Sequence, residues 1–224
     1  MRRFRFTLRD LMAGSILLTI LIAVSVRLVL WAQLKERETR AVAALRTIIT
    51  AQCTFRQMDW DRNTISDYWC ADLSGLHRLE DFKGKPINLI AQELARADDC
   101  KLSRGRAIGG ADLIFPGPPG LHVRTAGLLA LPQTQACLGY LFRAIPGYES
   151  DPDENGQAWT NTGQFAIQAR PERYGVSGLL TFLLTEYGDV LAKDLSGNAP
   201  GTAESWHQQV RREGLPMLGW EKRQ

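Results

Sequence analysis
The chain has 224 residues, with 27 Lys or Arg against 24 Asp or Glu and a formal charge of +3. So small an excess, with the two signs interspersed, argues against a nucleic-acid surface. Four cysteines (Cys53, Cys70, Cys100 and Cys137) form no CxxC or Cys/His pattern, which disfavours a metal cluster and leaves either one or two disulfides or free buried thiols.

Residues 11–26 are an apolar run, followed by Arg27 and a second short apolar piece ending at Trp31. The whole is about 20 residues, the length that crosses a bilayer core. Arg27 can carry its guanidinium back to the interface, and Trp31 is the residue type expected at that boundary. Arg2, Arg3, Arg5 and Arg9 precede the run, which predicts a basic cytoplasmic N-terminus over 1–10 and a transmembrane helix over 11–31. The segment has no clear small-x-small cleavage site and runs directly into more helix, so it reads as a retained anchor in preference to a removed signal.

Neither glycine nor proline occurs from Ser15 to Ser74. The pattern predicts one helix from Thr7 to about Gln57, a rod of roughly 75 Å at 1.5 Å per residue. Lys35, Glu36, Arg37 and Glu38 read as a charged collar above the lipid. Ala41, Ala44, Leu45, Ile48, Ile49 and Phe55 recur at three- and four-residue spacings and line one face, with Arg40, Arg46, Thr47 and Arg56 opposite. Residues 32–58 are thus expected to be a helical stalk leading into a head over 59–224. That head is long enough to bury a core as one domain.

The helix is expected to end near Asp59. Asp59, Asp61, Asn63 and Asp67 alternate as oxygen ligands do at the start of a calcium loop. Thr64 replaces the turn glycine of such a loop, and Cys70 stands where its bidentate glutamate belongs. These residues therefore read first as a solvated junction with Asp caps and second as a weak calcium site; no other cofactor is expected. Residues 68–77 read as a short loop or turn. A second helix is expected to begin near Pro86, with Ile87, Leu89, Ile90 and Leu94 as its apolar face. Glycines and prolines then cluster over 101–120 with no phosphate-binding arrangement, which predicts a connector.

In the last third the period changes. Residues 139–145, 164–169, 179–185 and 190–193 are short β-prone runs separated by Gly, Pro, Asn and Asp clusters, with a tight turn over 186–189. A short helix is expected over 203–212. The predicted fold class is α+β, a long N-terminal helix packed on a small antiparallel sheet.

The run Phe6-Thr-Leu-Arg-Asp10-Leu, followed by an apolar segment and an extended helix, resembles the N-terminus of type IV pilins and type II secretion pseudopilins, whose mature chains begin Phe-Thr-Leu-Ile-Glu-Leu. Residues 44–55 and the polar segment after them also resemble bacterial pilin-like proteins. The resemblance implies a pilin-like fold and assembly roles for Phe6, as first mature residue, and Asp10, whose carboxylate would neutralise the amino terminus of a neighbouring subunit. Arg5 departs from the pattern, standing where prepilin peptidase requires a small residue. Further on, Gly139-Tyr-Leu-Phe-Arg143, Pro171-Glu-Arg-Tyr174-Gly-Val-Ser-Gly178, Thr181-Phe182 and Lys193-Asp-Leu195 resemble the sheet motifs of an uncharacterised family of exported bacterial proteins.

Little in the sequence suggests catalysis. His77, His122 and His207 are isolated, and Gly175-Val-Ser177-Gly178 lacks nucleophile-elbow spacing, so Ser177 reads as a turn residue before a strand. Asp151, Asp153 and Glu154 read as a solvated acidic loop. The expectation is no enzyme, but a pseudopilin-like structural subunit of a bacterial envelope secretion or pilus-type assembly. The alternative is a stand-alone membrane-anchored extracytoplasmic binding module that does not polymerise. Expected partners are the membrane and other pilin-like subunits or secretion-machine components, with no nucleic acid. The expected location is the inner membrane, single-pass, with the C-terminal domain extracytoplasmic. Among disulfides, Cys53 to Cys70 is expected first, because the polar loop between them would fold Cys70 back onto the helix end.

Overall fold
The computed structural model describes residues 8–58, 66–70, 72–80, 85–99, 122–123, 134–145, 160–161, 163–196 and 219–223. Helix α1 (Leu8–Met58) runs unbroken for 51 residues, about 76 Å at 1.5 Å per residue. Its apolar half carries Arg27 near its outer end and small hydroxyl residues that satisfy themselves. Ser15, Thr19 and Ser25 donate to carbonyls three or four residues earlier, so none of these hydroxyls needs a partner from outside the helix. Residues 12–31 are exposed throughout, and this part of the chain is long and apolar enough to cross a membrane.

Beyond that stretch, burial on α1 follows a three-and-four spacing, with Ala51 buried beside it. Glu38, Ala41, Leu45, Ile48, Gln52 and Phe55 are buried, while Thr39, Arg40, Arg46 and Thr47 are exposed. The remaining elements, in chain order, are β1 (Tyr68–Trp69), α2 (Gly75–Arg78), β2 (Leu79–Glu80), α3 (Gln92–Arg96), β3 (His122–Val123), β4 (Tyr140–Ile145), β5 (Thr160–Asn161), β6 (Ala166–Pro171), β7 (Leu180–Thr185), β8 (Val190–Asp194) and β9 (Glu221–Arg223).

The principal sheet has the order β4-β6-β7-β8-β9, every neighbour antiparallel. Its register alternates large with small across the face toward α1: Phe142 opposes Ala169, which opposes Phe182, which opposes Ala192. The next row is Ala144, Ile167, Leu184 and Val190, apolar throughout. Against these rows α1 packs, touching β6 and β7, with β1 beside them. The opposite face carries a second cluster of Ile145, Ala166, Leu183, Leu191 and Trp220. The molecule is therefore α+β, one long helix on a five-stranded antiparallel meander, as the sequence pattern predicts. β1 pairs with β5 and β2 with β3 in two small separate ladders.

Two expectations change. No helix begins at Pro86: Asn88 adopts a left-handed φ of 47°, and Leu89 N donates to Leu76 O at 2.9 Å, so this backbone bonds to α2 and helix α3 starts only at Gln92. Residues 68–77, read as a loop or turn, contribute Tyr68, Trp69, Cys70, Leu73 and Leu76 to the core. The connector over 101–120, the acidic loop at Asp151, Asp153 and Glu154, the helix over 203–212, and Phe6, Cys100 and His207 lie outside the described residues.

Candidate functional site at the helix–sheet junction
The segment between β6 and β7 is a tight loop built from its own residues. Gly175 takes a φ of 76°, and its N–H donates to Gly178 O at 2.9 Å. Ser177 is buried; its hydroxyl donates to Arg173 O at 3.0 Å and accepts from Arg173 N at 2.9 Å. Ser177 is thus the turn residue the sequence suggests. A side chain at Gly178 would place its Cβ 2.1 Å from the Tyr140 hydroxyl, so only glycine fits there.

This loop is fastened to α1 at the start of its buried half. Arg37 Nη1 donates to Val176 O at 2.9 Å, and Leu179 N donates to Glu38 Oε1 at 3.2 Å. Glu38 Oε2 receives Lys35 Nζ at 2.9 Å, the carboxylate side chain being 6% exposed. Behind it, the Tyr140 hydroxyl donates to Leu180 O at 3.0 Å. Burial pushes the Tyr140 hydroxyl pKa up, and the Glu38 charge adds to this, so Tyr140 stays protonated as the donor. Lys35, Arg37 and Glu38 of α1, Tyr140 of β4 and the backbone of residues 176, 179 and 180 therefore form one clamp that fixes the helix against the sheet.

A second polar node lies further along the helix. Gln52 acts as a strand partner for Trp69, its Nε2 donating to Trp69 O at 2.7 Å and its Oε1 accepting from Trp69 N at 3.0 Å. Asp72 Oδ1 accepts from Gly75 N at 2.7 Å and Oδ2 from Ser74 Oγ at 2.8 Å. Asp98 Oδ2 accepts from Ser74 N at 2.8 Å. These buried carboxylates are occupied by backbone and hydroxyl donors, which suits them to capping and pinning a turn. An ion pair between Arg170 and Asp99 ties β6 to the segment after α3.

The remaining candidates are dispersed. Asp67 is buried, while Asp59, Asp61 and Asn63 lie outside the described residues. Among the described residues, no three His, Cys, Asp or Glu side chains gather as metal ligands would. Cys53 to Cys70 does not form: both thiols are free, Cys53 exposed and Cys70 buried. Gln52 and Phe55 occupy the inward face, which turns Cys53 outward. Cys70 Sγ lies 3.5 Å from Tyr68 O and from Gln164 O. Burial, then the charges of Asp67 and Glu186, push its thiol up to about 12. Cys137 is free and half-buried, its thiol also raised by burial and then by Glu93. His77 Nδ1 lies 2.8 Å from Ile90 O, and Asp10 lies within α1.

Sequence reading placed Glu38 in the solvated collar and overlooked Gln52. The signal was present: 38, 41, 45, 48, 52 and 55 form one unbroken three-and-four series, so the polar members share the face of the apolar ones.

The fold and the clamp define a helix-on-meander α+β protein whose helix extends well past its sheet. Residues 116–212 are similar to a family described as a protein of unknown function (DUF2950). No pilin or pseudopilin family matches. The match takes in β3 to β8 and the loop between β6 and β7, and leaves α1 outside it. None of the curated proteins and none of the solved structures matches the chain.

Proposed function
We propose that the chain is a single-pass, membrane-anchored, extracytoplasmic binding module that performs no catalysis of its own. The observation that carries this reading is the division of labour within α1: one continuous helix leaves residues 12–31 exposed and apolar and buries the next turns against the sheet. Exposing so much apolar surface to water is strongly unfavourable, at about 25 cal/mol per Å², and a bilayer removes it. The four arginines before the apolar run favour a cytoplasmic N-terminus and a head on the other side. The buried carboxylates are engaged by backbone donors, which speaks for a structural role. Neither this reading nor the next invokes a cofactor. Alkaline carbonate extraction of membranes carrying the full chain tests it: the protein is expected in the pellet, and its release into the supernatant would contradict an integral anchor.

A second reading, a pilin-like subunit of a secretion or pilus-type assembly in the inner membrane, is favoured by a specific observation. The upper half of α1 seated on an antiparallel meander is the arrangement that the likeness of residues 6–11 to pilins implies. It requires cleavage after Arg5, so that Phe6 becomes the amino terminus beside which Asp10 of a neighbour acts. Intact-mass analysis of the membrane-extracted protein separates the two readings. A chain beginning at Phe6 supports the subunit, whereas a chain beginning at Met1 supports the stand-alone module.

A further inference from the structure
Among the described residues beyond Trp31, five large apolar side chains are exposed: Met58, Leu138, Tyr174, Val176 and Tyr187. Three of them gather at one end of the sheet. Tyr174 (41% exposed) and Val176 (55%) sit on the β6–β7 loop. Leu138 (42%) sits on the turn before β4. That turn lies against the loop, because Glu172 N donates to Gly139 O at 2.9 Å and a Cβ on Gly139 would come within 2.9 Å of Ser177 Cβ.

This end faces the apolar half of α1. Arg37, which holds Val176 O, stands six residues beyond Trp31, a rise of about 9 Å. Helical side chains lean toward the N-terminus, so the contact point lies lower than the Arg37 backbone. The interfacial layer beyond a bilayer's hydrocarbon core is about 5–7 Å deep on each side, and surface-bound apolar groups reach about 5–10 Å into the headgroup–acyl boundary. Leu138, Tyr174 and Val176 are therefore at the height of that layer if Trp31 marks the edge of the core. Tyr187 belongs to the other end. The turn that carries it packs at Ile49, where a Cβ on Gly188 would be 3.2 Å from Ile49 Cδ1, about 18 Å further along the helix than Arg37.

We propose that Leu138, Tyr174 and Val176 form a second membrane contact, docking the head onto the lipid headgroup–acyl boundary of the bilayer that α1 crosses; this rests on the anchored reading above. The chemistry suits that surface. Tyr174 presents a ring while its hydroxyl bonds Asp194 Oδ2 at 3.1 Å, an amphipathic arrangement favoured at interfaces. Arg173 is exposed beside it, so a cation for lipid phosphates flanks the apolar tip. The Arg37 and Glu38 bonds make the loop a rigid foot, and the head lies on the membrane instead of standing above it on a stalk.

The test uses the full chain with Cys53→Ser, Cys100→Ser and Cys137→Ser, reconstituted in phosphatidylethanolamine–phosphatidylglycerol vesicles. An environment-sensitive fluorophore is attached in turn through Leu28→Cys, Val176→Cys and Tyr187→Cys, and lipids spin-labelled near the headgroup serve as quenchers. Loss of emission at positions 28 and 176 but not at 187 is expected. Combining Leu138→Ser with Tyr174→Ser should then lower the quenching at 176 while leaving that at 28 unchanged. Quenching at 28 alone overturns the docking and leaves the anchor standing, and absence of quenching at 28 overturns both. A probe at 176 that is shielded from water but insensitive to the lipid quenchers means that a protein surface covers the tip, which also overturns the proposal.

Discussion

Glu38 illustrates how one side chain decides the relation between two elements. It is a carboxylate 5% exposed on a helix, tolerated because it accepts the Leu179 N–H and an ammonium from Lys35. Glu38→Ala would leave that N–H without its acceptor, and a loss of about 1–3 kcal/mol is expected in denaturant unfolding of the full chain. Glu38→Gln, which keeps an acceptor oxygen, should lose less; equal losses would mean that the clamp contributes through packing alone. Cys70 and Tyr140 set an alkaline limit. Their folded pKa values are raised by burial, so above about pH 9 the unfolded thiol releases its proton while the folded thiol, at about 12, retains it. Stability from Cys70 is therefore fully present below pH 9 and declines toward pH 12 by about 1.4 kcal/mol per pH unit. Tyr140 adds to the decline above pH 10. Unfolding midpoints at pH 8, 9.5 and 11 check this, and Cys70→Ala should flatten the first part of the slope. A profile independent of pH over that range would contradict the assigned burial. The disulfide expectation failed at this same scale: loop length suggested that Cys53 and Cys70 could meet, whereas facing depends on the 100° step between successive helical residues, which turns Cys53 away from Gln52 and Phe55.

The second half of α1 does the work of a core element, and the contrast between adjacent positions is testable. Ile48 is fully buried while Thr47 is exposed. Ile48→Ala is expected to cost about 2–5 kcal/mol through the cavity it leaves, and Ile48→Asp more, because it buries an unpaired carboxylate. Thr47→Asp should stay within about 0.5 kcal/mol of the parent. Thermal unfolding of the three variants would expose an error in the helix register if Thr47→Asp were the damaging change. The helix and the four meander strands were legible because period 3.6 and period 2 are properties of short windows. The segment after Pro86 was not, since its conformation turns on the left-handed Asn88 and on the bond from Leu89 to α2, neither of which a periodicity contains. Strand β9 is three exposed charged residues that join the sheet only by pairing with β8, so it offers no hydrophobic pattern to read. The clamp was half legible: Gly178 and Ser177 mark a turn, but their fit to Tyr140 and Arg173 is a tertiary fact.

At the scale of the whole molecule, one helix has an exposed apolar half and a half buried against the sheet, and the clamp at Arg37 and Glu38 stands where they meet. The family similarity covers residues 116–212 and so concerns the sheet half alone; the anchoring argument rests on α1 and is independent of it. Cys53 offers a direct probe of that argument, since it is exposed on α1 well past the apolar half, whereas Cys70 is buried and holds its proton. The decisive measurement is labelling of the full chain, carrying Cys100→Ser and Cys137→Ser, by a membrane-impermeant maleimide in intact bacterial spheroplasts. Cys53 should be labelled fully before lysis, with Cys53→Ser abolishing the signal. Labelling that appears only after the membrane is permeabilised would put the head in the cytoplasm and contradict the proposed topology.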